Sequence, residues 1–270
     1  MNKAIFITVR TASTRLPGKA LLEINGKPTI EHLIHRVKRS EKAQDIILCT
    51  THLEQDDILC EIALRNGINY FRGSVKDKLD RWNGACDKFN VEFFVTSDGD
   101  DLFCEPELID LAIEQYVRTQ ADFIEGKDII CGSFTYGIKA SALKRVCEIK
   151  DTDDTEMMWV YFKDTNMFTV EQLQGVDEIY KKPQIRMTLD YRDDFRFFET
   201  IMEHFEKTKR DYTLRDIVKY LDENPWIIEI NQYLHKEWAE NQQKKTSLII
   251  KDLNNITGSG GNAGGIKKIN

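Results

Sequence analysis

The chain is 270 residues long, and its 45 acidic residues outnumber its 38 basic ones to give a formal net charge of -7. That balance argues against a broad nucleic-acid surface and leaves room only for local basic sites. No apolar run approaches the roughly 20 residues of a membrane-spanning helix. The six cysteines show no CxxC pair or metal-ligand spacing, and the N-terminus shows no charged-then-apolar leader, so a reduced, cytoplasmic protein is expected.

Ala4-Ile5-Phe6-Ile7-Thr8-Val9 is almost uniformly apolar, the pattern of a strand covered on both faces of a parallel sheet. The loop VRTASTRLPGKAL, residues 9–21, follows it. Leu21 to Ile24 runs into the Asn25-Gly26 turn signal, and Pro28 suits the first turn of a helix whose apolar face is Ile30, Leu33, Ile34 and Val37. Asp45 to Thr50 reads as a second buried strand, and Asp56 to Asn66 as a helix stopped by Gly67. A short strand at Tyr70-Phe71, a helix over Asp77 to Phe89, a strand over Val91 to Thr96 and a helix from Pro106 to Tyr116 continue the alternation. Such a series predicts an α/β fold with a mainly parallel central sheet flanked by helices, and ligands at the carboxyl ends of its strands.

After Asp122 the pattern changes. Ser133 to Ile138 resembles an antiparallel or edge strand, Thr155 to Phe162 a helix, Met167 to Val170 a short strand, and Ile185 to Leu189 a buried strand ending at Asp190. An amphipathic helix over Asp193 to Phe205 follows. Asp211 or Thr213 caps the next helix, which Asn224-Pro225 stops after Glu223. Residues 1–240 form the catalytic domain in this reading. Residues 241–270 form a C-terminal extension whose Gly-rich stretch, 257–265, is a flexible tail or linker.

Arg10, Ser13, Thr14, Arg15 and Lys19 put cationic and hydroxyl groups on the first loop. Arginine forks match phosphate oxygens, lysine adds a compact charge, and Gly18 lets backbone amides approach an anion. The GxxxxGK[ST] spacing of a P-loop is absent. A plain solvated basic loop is the alternative, but the preceding buried strand and the Pro17-Gly18 turn favour a polyphosphate site.

Asp98, Asp100 and Asp101 cluster where the Val91 strand ends, an expensive arrangement without a compensating cation. Mg²⁺ takes one or two protein carboxylates plus phosphate oxygens, and Asp100 and Asp190 are the candidate pair. The alternatives are helix capping by Asp190 and turn or cap roles for Asp98 and Asp101. Asp98-Gly99-Asp100 also spells the DxD pattern with which glycosyltransferases hold a metal-bound nucleotide-sugar. His32 and His35, one helical turn apart, lack the further ligands of a zinc set. Trp82, Trp159, Trp226 and Trp238 read mostly as packing residues, and Ser97 and Ser133 lack a nucleophile-elbow context.

RTASTRLPGK resembles the R-x-x-S-x-R-L-P-G-K signature of bacterial cytidylyltransferases that make CMP-activated sugars, the CMP-Kdo and CMP-sialate synthetases and, more closely, the SpsF-like spore-coat polysaccharide group. The likeness continues in INGKPTIEHLIHRV, FRGSVKDKLDRW, DGDDLFCEPELID and IRMTLDYRDDFRFFETI, in the same order. The resemblance implies a GT-A-like nucleotidyltransferase fold that binds CTP and Mg²⁺. It implies that Arg10, Ser13, Arg15 and Lys19 hold the triphosphate, with Arg15 and Lys19 nearest the charge growing on departing pyrophosphate. Val9 and Thr11 on the same loop, Asp98, and the Arg72, Ser74, Asp77 and Arg81 region fall near the nucleotide. Asp100 and Asp190 align with the group's metal-ligand aspartates, although Asp101 and Leu102 replace its Cys-Pro or Glu-Pro. A small antiparallel subregion within residues 130–176 is implied to serve the acceptor and a homodimer interface. The implied acceptor is a small acidic sugar; a phosphorylated or phosphonate metabolite, a glycosyltransferase and a non-catalytic nucleotide sensor are the competing readings.

Overall fold

The computed structural model describes residues 2–208 and 211–251, so the Gly-rich stretch 257–265 lies outside the described residues. Strand β1 (Asn2–Thr8) is followed by the opening loop and a hairpin of β2 (Glu23–Ile24) and β3 (Lys27–Pro28). Asn25 and Gly26 carry φ of 52° and 70° between them, the two left-handed residues that a tight hairpin turn requires. Then come α1 (Thr29–Val37), β4 (Asp45–Thr51), α2 (Asp57–Arg65), β5 (Asn69–Gly73), α3 (Lys78–Phe89), β6 (Val91–Asp98) and α4 (Pro106–Thr119). The second half holds β7 (Phe123–Glu125), β8 (Tyr136–Lys139), α5 (Ala140–Ile149), α6 (Val160–Lys163), β9 (Val170–Gln172), α7 (Arg192–Thr208), α8 (Leu214–Glu223), α9 (Trp226–Glu229) and α10 (Leu234–Lys245).

The main sheet has seven strands in the order β5-β4-β1-β6-β8-β7-β9. β5, β4, β1 and β6 pair in parallel, β8 runs antiparallel to both β6 and β7, and β9 pairs in parallel with β7. The mainly parallel, helix-flanked sheet and its antiparallel portion therefore appear as the sequence predicts. β1 is an interior strand, paired on both sides, and its alternation explains its composition. Ile5 and Ile7 face a core built with α1, α4, α7 and α8, while Ala4 and Phe6 face a second core built with α3 and α5. All four are fully buried, each large side chain contributing about 1.5–3 kcal/mol by burial.

Several local expectations are corrected. Ile185 to Leu189 is extended but joins no ladder beyond a bridge from Arg186 to Cys131, because Met187 N bonds Cys131 O at 2.8 Å and Leu189 N bonds Asp100 O at 2.9 Å, both in loops. The helix expected over Thr155 to Phe162 shrinks to α6, since the Thr155 hydroxyl is committed to Asp77 and to the Leu79 amide. Strand β8 starts later than expected, at Tyr136, because Ser133 turns back on the Ile130 carbonyl at 2.7 Å. For the helix after residue 211, the choice falls on Thr213, which forms a full capping box with Asp216. Past α10, Asp151 N bonds Ile249 O at 2.9 Å and Leu248 is buried, so the chain to residue 251 lies beside the end of α5.

Candidate active site

Because β1 and β6 are parallel, with Thr8 opposite Asp98, the loops leaving them open at the same end of the sheet. Gly99 N bonds Thr8 O at 2.8 Å. A Cβ on Gly99 would stand 2.7 Å from Val9 Cβ and Cγ2, so only glycine lets Asp98-Gly99-Asp100 cross directly over the end of β1.

The opening loop is pinned at its base by Asp56, a fully buried residue just ahead of α2. One Asp56 oxygen accepts from the Thr11 amide at 2.8 Å and the Thr11 hydroxyl at 2.6 Å, and the Thr51 hydroxyl donates to the other. Burial acts to raise this carboxyl, but the Thr11 and Thr51 donors outweigh it and hold it below its ordinary value. At the loop's other end, Gly18 adopts the left-handed conformation, φ 66°, and turns the chain into a short 3-10 helix, Lys19–Leu21. That turn delivers Lys19 into the crevice.

There Lys19 Nζ donates to Asp100 Oδ2 at 2.5 Å and to Asp190 Oδ1 at 2.8 Å, while Arg15 Nη2 reaches the same Asp190 oxygen at 2.6 Å. Asp190 is nearly inaccessible, and Leu189 N on Asp100 O ties the two acidic segments together. Burial works against the Lys19 charge, but the facing carboxylates more than compensate and raise it above its usual value. Burial would likewise raise Asp190, yet Lys19 and Arg15 hold it at about 2. Asp100 moves up, first from burial and then from Asp190 and Asp98 against the pull of Lys19. Asp101, 7% exposed, is raised well above the carboxylate range by burial and then by Asp100 and Asp98; Thr135 Oγ1 donates to it at 3.4 Å.

The remaining expected site residues are placed as follows. Asp98 pairs with Lys78 at 2.9 Å, and the Lys78 ammonium lies 4.9 Å from the centre of the buried Trp82 ring. Arg10 Nη1 donates to Val75 O at 3.2 Å, and Ser13 Oγ accepts from Leu16 N at 3.4 Å. Val9 N extends the β1–β4 pairing by donating to Cys49 O at 3.2 Å. Arg72 spans the Thr51 and Leu53 carbonyls and pairs with Asp57 at 2.5 Å. Ser74, Asp77 and Arg81 interlock in the turn before α3: Ser74 Oγ accepts from Asp77 N, Arg81 Nη1 donates to Ser74 O, and Asp77 caps Asp80 N while holding Thr155 and Lys150. The fold thus gathers Arg15, Lys19, Asp98, Asp100 and Asp190 in one crevice, with Arg72, Ser74, Asp77 and Arg81 in a hydrogen-bonded framework of the neighbouring turn.

Three participants escape a sequence reading. Asp56 looks like an ordinary helix-start acid, Lys78 like one charge among several, and Asp194 like a first-turn helix residue. Only their long-range partners reveal them. Asp190 is not the cap of α7; its side chain points to Lys19 and Arg15, and Asp194 Oδ2 takes the amides of Asp190 and Tyr191. His32 and His35 bond Ile24 O and Asn66 Oδ1.

Among the described residues no group of three or more His, Cys, Asp and Glu side chains is arranged to hold a metal, nor is any helix long and apolar enough to cross a membrane. Asp100 and Asp190 nonetheless converge on one ammonium, so they fit a hard cation that draws its other ligands from substrate and water.

A mainly parallel sheet with a cation-rich loop on an interior strand and facing carboxylates beside it defines a nucleotidyltransferase-type crevice. The chain belongs to the cytidylyltransferase family, whose model matches residues 4–226. It is 33% identical over 233 residues to an uncharacterised protein of Methanocaldococcus jannaschii, covering 86% of this chain and 95% of that one. It is 29% identical over 243 residues to the spore coat polysaccharide biosynthesis protein SpsF of Bacillus subtilis, covering 83% and 96%. A cytidylyltransferase structure from Leptospira borgpetersenii superposes with a TM-score of 0.77 at 24% identity, covering 84% of this chain and 97% of that one. Family membership decides against the glycosyltransferase reading of Asp98-Gly99-Asp100.

Proposed function

We propose that this protein is a Mg²⁺-dependent enzyme that transfers CMP from CTP to an acidic sugar or a related anionic acceptor, releasing pyrophosphate for synthesis of a surface polysaccharide precursor. The observation that carries the reading is the meeting of Lys19 and Arg15 with Asp100 and Asp190, at 2.5 to 2.8 Å, where the loops of β1 and β6 open. The polysaccharide role named for the Bacillus subtilis relative supports the product class.

Asp100 and Asp190 would hold Mg²⁺, which when bound supplies positive charge against the phosphate oxygens. Lys19 and Arg15, released from the carboxylates, turn to the β- and γ-phosphates. An acceptor oxygen attacks the α-phosphorus in line; its bond to phosphorus forms as the bond to the bridging oxygen breaks, and the electron pair leaves with pyrophosphate. Arg15 and Lys19 stabilise that charge where it grows. A carboxylate, phosphate or phosphonate oxygen arrives already ionised and needs no strong base; a sugar hydroxyl would give up its proton to solvent as it attacks, its acidity raised by the bound metal.

Incubation with Mg²⁺, each nucleoside triphosphate and a panel of acid sugars and phospho-metabolites, with pyrophosphate release as the readout, tests this. CTP-specific release with an acidic sugar is expected. Release only with a phosphorylated or phosphonate acceptor reassigns the acceptor, and release without a divalent ion removes the metal role.

A further inference from the structure

Beneath Asp190 lies a buried polar network in which Arg186, Asp194 and Asn231 are all 0% exposed. Asp194 Oδ2 accepts the backbone amides of Asp190 and Tyr191, each at 2.9 Å, and Arg186 Nη2 at 3.0 Å. Its other oxygen accepts Arg186 Nε at 2.9 Å and Asn231 Nδ2 at 2.9 Å; Asn231 Nδ2 also donates to Arg186 O at 3.1 Å. From below, Arg186 Nη2 approaches Asp190 Oδ2 at 3.6 Å, opposite the oxygen that Arg15 and Lys19 hold. Tyr191 lies between two guanidiniums, Arg15 and Arg186, each 5.8 Å from its ring centre, and Arg186 rests 5.1 Å from the ring centre of Trp238.

We propose that Asp194, locked by Arg186 and Asn231, is a positioning residue that sets the direction in which Asp190 presents its carboxylate to the cation. It follows that the segment of α9 and α10 past the family match at residue 226, which supplies Asn231 and Trp238, is part of the site's support. The proposal rests on the reading of Asp190 as a metal ligand.

Stability alone does not account for this network. A buried ion pair is weak evidence of stability, because two charges taken out of water recover little beyond what a well-packed apolar pair provides. What an apolar pair cannot do is accept the Asp190 and Tyr191 amides while holding a cation behind the Asp190 carboxylate. Groups that orient a metal ligand in this way characteristically change metal affinity by about 10–100-fold when removed.

The test uses Mn²⁺, which takes the same oxygen ligands, and measures free Mn²⁺ by electron paramagnetic resonance with CTP present, together with thermal melting and the split between KM for metal-CTP and kcat. The variants are Asp194→Asn, Asn231→Ala and Asp190→Asn. Folded Asp194→Asn and Asn231→Ala proteins should bind Mn²⁺ about tenfold or more weakly, with KM rising more than kcat falls. A merely structural role would lower the melting temperature and leave Mn²⁺ affinity of the folded protein as in wild type, which overturns the proposal. Should Asp194→Asn fail to fold, Asn231→Ala, which keeps the Arg186 pair, decides. Wild-type Mn²⁺ affinity in Asp190→Asn would instead overturn the metal reading, and this inference with it.

Discussion

Lys19 and Asp190 lie 171 positions apart in the chain and 2.8 Å apart in the fold. The two charges neutralise each other across that contact. On the proposed function, substrate binding would exchange it for two others, Lys19 to phosphate and Asp190 to metal.

Lys19→Ala and Arg15→Ala should each lower CTP-dependent pyrophosphate release by about a hundredfold to a thousandfold, the usual cost of removing one group that stabilises developing charge. Lys19→Ala has a second signature. With the ammonium gone, Asp100 and Asp190 repel across the crevice, so Mg²⁺ should raise its melting temperature more than it raises that of wild type. Equal shifts would count against Lys19 competing with the metal.

Asp100→Asn and Asp190→Asn keep shape while removing charge. Each should shift the Mg²⁺ titration of activity to higher concentration, and the double variant should lose little more than the worse single, as groups acting as one unit do. Wild-type Mg²⁺ dependence in both singles would dismiss the pair.

Asp56 offers a pH test away from the carboxylate cluster. Its folded carboxyl sits below the ordinary value, so its stabilising contribution is complete above the unfolded pKa of roughly 3.9 and disappears as pH falls through the folded value. Urea unfolding from pH 7 down to pH 3 should show wild type losing its advantage over Asp56→Asn towards the acid end. A difference that is constant across this range would show that the Thr11 and Thr51 contacts do not depend on the charge. Since Asp56 anchors Thr11, the same variant should also weaken CTP binding.

Gly99→Ala introduces a methyl 2.7 Å from Val9. Overpacking of this kind destabilises by about 1–3 kcal/mol, and relief of the clash displaces Asp98 and Asp100 from the end of β1. The melting temperature should fall and KM for CTP should rise. A variant with native stability and native KM would show that this crossing has slack.

The sheet was legible because its signals are local: a doubly buried β1 has no polar alternation, and Asn25-Gly26 and Gly67 end their elements through backbone geometry. The cationic loop was legible because Arg15 and Lys19 follow that strand directly. The region from 123 to 190 was less so. β7 is three residues long, too short for a periodicity, and Ile185 to Leu189 has a strand's composition while bonding to loops. Asp56 and Asp194 act through partners 45 and 37 positions away, Thr11 and Asn231, and no spacing rule encodes such distances.

β1 precedes both of its sheet neighbours, β4 and β6, in the chain, so the sheet does not assemble strand by strand in chain order. β5, β4, β1 and β6 are all present once Asp98 has been made, and the cationic loop with them. Asp190 comes much later, and Asn231 and Trp238 later still. A chain made or clipped short of Asp190 therefore holds Lys19 and Arg15 without the carboxylate that pairs with both, and one clipped short of Asn231 lacks the network beneath it.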